Sequence, residues 1–169
     1  MVMQQLFDAS GAKLADLRVR AIRQKSVVDN FLRDWTEFGP VQGWKVAFAL
    51  EADGMVYGIA TWGRPVARLE DQETTLQLTR FALHPQAPAR SEVVFLQAME
   101  TWIRAEMKTA RRLITYRDFR DESGEVFDAS GWGKQVLDVS GASCTNREGR
   151  QGNERPSKVK YTKVLRRVQ

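Results

Sequence analysis

The chain has 169 residues, with 26 Lys plus Arg against 21 Asp plus Glu, a formal charge of +5. Hydrophobic residues make up 43% and charged residues 28%, the mixture of a soluble globular protein of about one domain. One cysteine, Cys144, and one histidine, His84, exclude a disulfide framework, a Cys/His zinc site within one chain and a two-histidine iron site. No apolar run approaches the ~20 residues of a membrane helix. Residues 1–12 lack the basic-then-apolar order of a secretory signal, so the expected compartment is the cytoplasm.

Leu17 to Ile22 alternates strictly and predicts a half-buried strand. Ser26 then reads as the cap of a helix, with Asp29 three residues on and Val27, Val28, Phe31 and Leu32 on one face; Gly39-Pro40 ends it. Trp44 to Leu50 and Met55 to Trp62 read as two strands joined through Asp53-Gly54, a strong hairpin signal. Thr74 to Leu83 is a further strand. Val93, Leu96, Met99, Trp102, Ile103 and Met107 mark a helix of about four turns. Leu113 to Tyr116 reads as a short buried strand and Val126 to Ser130 as a short helix. A strand is expected from Gly131 through Val139, and a last one over Val159 to Leu165. The order β-α-β-β-β-α-β-α-β-β predicts one α/β (α+β) domain over residues 1–169, built on a mixed, mostly antiparallel sheet.

Charge is unevenly placed. Residues 144–169 hold eight basic and two acidic side chains, whereas residues 1–143 hold 18 and 19. A basic segment of this kind suits a polyanion such as DNA, or serves solubility alone. The other local signal is the junction Leu83 to Glu92. Pro88 suits a helix start, and the amides of a first turn bind phosphate. Arg90 opposes the helix dipole there, which makes sense if an anion covers that end, or if Arg90 points into water.

The element order and the turn Gln86-Ala87-Pro88-Ala89-Arg90-Ser91 resemble the GNAT acyltransferase superfamily. Its acyl-CoA pyrophosphate lies on a Gln/Arg-x-x-Gly-x-Gly/Ala turn, with Ala89 and Ser91 standing here where that pattern has glycine. A longer stretch is similar to the phage Mom-type DNA-modification proteins and their GNAT-like relatives. It comprises Gly58-Ile59-Ala60, Trp62 to Arg68, Leu78-Thr79-Arg80-Phe81, Ser91, Ile114-Thr115-Tyr116, Ala129 to Trp132 and Pro156 to Tyr161. Two features depart from it. The histidine-rich stretch after the first helix is here Asp34 to Pro40, and Phe127 stands where relatives often carry a tyrosine.

The resemblance implies a GNAT-like fold and acetyl-CoA or a related acyl-CoA as donor, held by Gln86, Ala87, Ala89, Arg90 and Ser91. It implies the exocyclic amine of adenine in DNA as acceptor, in a bacterial or phage-infected cell. Tyr116, Asp118 and Arg80 are the implied catalytic residues, with Arg80 otherwise pairing with a carboxylate such as Glu73. Arg64, Arg68, Arg147, Arg150, Lys158 and Lys160 are expected on DNA, and no metal ligand set is assigned. Trp62 and Trp132 are candidates to stack on an extruded base, or core aromatics. His84 is a candidate base or a structural residue. Two alternatives stay open: an N-acetyltransferase of a small amine or protein, and a non-catalytic GNAT-like DNA-binding module.

Overall fold

The computed structural model describes residues 12–118, 124–137 and 158–165. After a 3-10 turn at Leu14–Asp16 come β1 (Arg18–Ile22), α1 (Lys25–Trp35), β2 (Val46–Ala52), β3 (Met55–Gly63), β4 (Thr75–Leu83) and α2 (Ser91–Glu106). There follow β5 (Arg112–Asp118), α3 (Glu125–Ala129), β6 (Gly133–Leu137) and β7 (Lys158–Val164). The seven strands form one sheet in the order β1-β2-β3-β4-β5-β7-β6. Only β4 and β5 run parallel, with α2 as their crossover. The β2–β3 hairpin turns on Asp53 (φ 50°) and Gly54 (φ 74°), the two positive φ values of a type I′ turn.

Period-two alternation divides the sheet's side chains between two cores. Phe48 and Leu50 of β2 pack with Tyr57, Trp62, Leu76 and Leu113 under Phe95, Leu96, Met99 and Ile103 of α2. Ala47 and Ala49 of the same strand meet Val28, Phe31 and Leu32 of α1 with Ile59 and Ala82. On that second face α1 covers β1 to β4, and the loop between β3 and β4 lies over β5 and β7. It is tied down by Gln77, whose Oε1 accepts the Val66 amide at 2.9 Å, and by Glu70.

Three local expectations change. The first helix starts at Lys25 with Gln24 at its cap and no side-chain capping bond; Asp29 instead pairs with Lys25 one turn earlier. Pro88 lies before the first turn of α2, because the amide (3.1 Å) and hydroxyl (2.5 Å) of Ser91 both donate to its carbonyl. The sixth strand begins at Gly133, since Gly131 (φ 74°) closes α3; Val139 lies outside the described residues.

The short α3 has a buried anchor. Trp132 Nε1 donates to Glu100 Oε1 of α2 at 2.5 Å, and Lys163 Nζ lies 3.9 Å from the other carboxylate oxygen while donating to Ser130 O at 2.7 Å. Burial raises the Glu100 carboxyl above its ordinary pKa, and the Trp132 bond and the Lys163 and Arg104 charges partly offset this. Tyr161 stacks on Phe127 with centroids 5.0 Å apart, and a Cβ on Gly124 would fall on its hydroxyl. Gly124→Ala is therefore expected to cost about 1–3 kcal/mol in urea unfolding. Adding Tyr161→Phe should recover part of that loss, and simple additivity of the two changes would contradict the contact.

Candidate functional site

The parallel ladder between β4 and β5 has only three pairs, Thr75–Arg112, Leu76–Leu113 and Gln77–Ile114. Beyond them the strands part. Each stays laddered on its outer side, β4 to β3 as far as Leu83 and β5 to β7 as far as Asp118. Two features stand where they separate. The β3–β4 register passes from Thr61–Arg80 to Trp62–Leu78, which leaves Thr79 as a bulge. Thr115 Oγ1 donates to the Leu78 carbonyl at 3.2 Å, and Thr79 Oγ1 meets Thr61 Oγ1 at 2.8 Å. Past this point the facing edges carry backbone N–H and C=O groups with no strand between them.

Cavities open on both faces of the gap. On the α2 face a groove of about 510 Å³ is lined by Phe81, Leu83, Val93, Val126 and Ala129, with Arg90, Arg117, Glu92 and Glu125 as its charged residues. The first turn of α2 opens here, where helix amides lack intrahelical partners. Arg90, at the cap, is held left-handed at φ 68°, ψ 11°, a strained conformation for a residue with a side chain. On the α1 face a pocket of about 270 Å³ is lined by Thr36, Phe38, Leu78, Thr79, Arg80, Phe81, Thr115, Tyr116 and Arg117. Among the described residues its lining holds two guanidinium groups and three aromatic rings. Phe81 and Arg117 border both cavities.

The wall of the smaller pocket rests on Glu70. This carboxylate, 13% exposed at its side chain, pairs with Lys160 and with Arg112 at 2.8 Å, and accepts the Tyr116 hydroxyl at 3.4 Å. Burial alone would raise its pKa; the Lys160 bond and charge, the Arg112 charge and the Tyr116 bond outweigh it and hold the carboxyl below its ordinary range. Tyr116 moves the other way. Burial, then the charge and hydrogen bond of Glu70, hold its phenol above the ordinary value, so it is neutral at physiological pH.

The residues singled out from sequence fall into distinct settings. Tyr116 and Arg80 both line the smaller pocket. Arg80 does not pair with Glu73: its guanidinium donates to the carbonyls of Gly39 (2.9 Å), Thr79 (2.8 Å) and Phe38 (3.4 Å), which makes it a positioning residue for the loop after α1. Asp118 ends β5, its backbone paired with Lys158. At the turn, Gln86, Ala89 and Arg90 are exposed, Ala87 is half-buried and Ser91 is buried, its hydroxyl turned onto Pro88 and away from the groove. Arg64, Arg68 and Lys158 are exposed; Arg147 and Arg150 lie outside the described residues. Lys160 is not an open surface cation, because Glu70 neutralises it at 15% exposure. Trp62 and Trp132 are buried against Met99 and Glu100, so neither can receive a base. His84 Nδ1 accepts the Gln86 amide at 3.0 Å, which shapes the turn. Glu70 and Arg117 were not foreseen. Glu70 is one acid among several in a loop, and Arg117 merely follows Tyr116 in a strand, so neither carries a sequence signal.

The Mom protein family matches residues 38–163, most of the chain. The chain belongs to that family. No curated protein matches it in sequence. Its fold is that of the GNAT acetyltransferases. The ribosomal-protein-S18-alanine N-acetyltransferase from Escherichia coli superposes with a TM-score of 0.61 at 10% identity, over 88% of this chain and 94% of that one. The spermidine/spermine N-acetyltransferase SpeG from Vibrio cholerae gives 0.64 at 8%, over 91% and 95%. The YncA protein from Salmonella typhimurium, solved with its cofactor acetyl-CoA, gives 0.63 at 11%, over 90% and 96%.

In this Mom family member the larger groove has mostly apolar walls and meets the first turn of α2, where the Ser91 hydroxyl is turned onto Pro88. Among the described residues no three His, Cys, Asp or Glu side chains gather as a metal site, and no helix is long and apolar enough to cross a membrane. A carboxyl with a depressed folded-state pKa contributes stability at neutral pH that is lost as acid protonates it. Glu70→Gln is therefore expected to flatten the acid side of a stability–pH curve, measured by urea unfolding from pH ~6 down to ~3. An acid limb as steep as in the parent protein would contradict this.

Proposed function

We propose that this protein is an acyl-CoA-dependent transferase that modifies the exocyclic amine of adenine in DNA. The observation that carries the reading is the composition of the smaller pocket among the described residues: Arg80 and Arg117, the rings of Phe81 and Tyr116 and three threonine hydroxyls, with Phe38 at its mouth. A base attached to a phosphate chain is recognised by stacking and by guanidinium charge. Membership of the Mom family supports the same acceptor, and Arg64 and Arg68 extend the cationic surface along the neighbouring loop.

When bound, an acyl thioester supplies an electrophilic carbonyl and a thiolate leaving group. The chain's part is positioning. Backbone N–H groups on the open edge of β4 past Gln77 are donors for the carbonyl oxygen. The Tyr116 hydroxyl donates to Glu70, so its oxygen keeps lone pairs for an N–H of the incoming amine. The adenine amine is a weak nucleophile because its lone pair is delocalised into the ring, so this orientation is what the site must provide. As the C–N bond forms, the thioester C–S bond breaks, and the proton given up by the amine ends on the departing thiolate as a free thiol.

DNA from cells expressing the protein should yield, on nucleoside digestion and mass spectrometry, an adenosine of increased mass. Unmodified DNA despite good expression would overturn the reading. Tyr116→Phe should lower the yield about 10–100-fold with the fold intact. Replacing Arg64 and Arg68 by alanine should reduce the slope of log DNA affinity against log salt by about 1.8.

A further inference from the structure

At the mouth of the smaller pocket the fold leaves an aromatic ring in water. Phe38 is 72% exposed, yet its backbone is fixed on every side. Thr36 Oγ1 accepts its amide at 3.2 Å and Thr36 O accepts the Gly39 amide at 3.3 Å. Gly39 turns at φ 62°, and Arg80 holds the carbonyls of both Phe38 and Gly39 while its guanidinium lies 5.8 Å from the Phe38 ring centroid. A loop free to collapse would bury such a ring for about 1.5–3 kcal/mol. This one is pinned so that it cannot. Across the same face the β3–β4 loop presents Val66 (77% exposed) and Leu69 (102%) beside Arg64 and Arg68. Among the described residues those two arginines form no ion pair.

We infer that Phe38 is a wedge that enters the base stack of duplex DNA and fills the space left when one base turns into the pocket beside it. The inference rests on the polynucleotide reading above and adds how the base is taken from the duplex. The occupant is fixed by charge and shape together. The pocket is lined by Arg80, by Arg117 and by aromatic rings, and the rim offers two arginines to a phosphate backbone. Taking a base from the stack costs a few kcal/mol, and an apolar side chain inserted between base steps lowers that cost by replacing the lost stacking surface. Arg80 also keeps the wedge rigid, through the Phe38 and Gly39 carbonyls.

The test uses the full chain and a duplex oligonucleotide in which scattered adenines are replaced by 2-aminopurine, whose fluorescence rises on unstacking. The parent protein should raise the fluorescence. Phe38→Ala should lose most of that rise, about tenfold, and Phe38→Leu, still an apolar wedge, should keep the larger part. The ratio of duplex to single-strand modification should fall by a similar factor in Phe38→Ala, because only the duplex needs extrusion. Since the ring is mostly in water, Phe38→Ala should melt near the parent temperature. An equal fluorescence rise in Phe38→Ala would overturn the wedge alone, with DNA modification still standing. Failure of the parent protein to bind the duplex would overturn both.

Discussion

The separation of β4 from β5 after three pairs is the constraint on which the rest of the molecule depends. Neither strand frays, because each is hydrogen-bonded along its outer edge. What divides them is local: a bulge at Thr79 turns β4, and Thr115 takes the Leu78 carbonyl across the gap. The result is a break in the middle of a sheet, lined by backbone donors and acceptors and reachable from both faces. A donor and an acceptor can therefore approach one point from opposite sides without competing for space. Phe81 and Arg117, which border both cavities, mark that point.

The two faces are built differently. On one, α2 packs a continuous apolar core and presents its N-terminus to the groove. On the other, α1 covers four strands and an irregular loop covers the remainder, held by Gln77 and by a half-buried carboxylate with three partners. Glu70 is costly to bury alone, but Lys160 and Arg112 compensate it, and the cluster fixes the Tyr116 phenol at the same time. Arg80 has the same role on the opposite rim, with backbone carbonyls in place of a carboxylate. The pocket lies between two such clamps.

Much of the fold was legible because it follows from periodicity. The apolar stripe of α2, the alternation of β1 and the Asp53-Gly54 turn all read directly, and the family resemblance supplied the architecture. Boundaries failed where a tertiary or unusual local contact outweighed propensity, as with Ser26, which never caps α1, and Pro88, whose carbonyl is taken by Ser91. At the site, Tyr116 and Arg80 were legible as positions but not in their partners. Lys160 read as a surface cation because it lies in a basic segment; only the approach of a residue ninety positions earlier neutralises it. Exposure was the least legible property. Trp62 and Trp132 are the larger rings and became core, while Phe38, with no distinguishing pattern around it, is left outside.

The strand order carries a consequence for how the chain assembles. β7 sits between β5 and β6, and among the described residues β6 has no other ladder partner. Until β7 arrives, β6 and the far edge of β5 remain open, and Glu70 lacks the ammonium that compensates it. The interface that closes last is thus built from the most distant contacts, the kind whose loop-closure entropy slows folding. A partly folded chain would expose two adhesive β edges, so aggregation during refolding should begin at this half of the sheet.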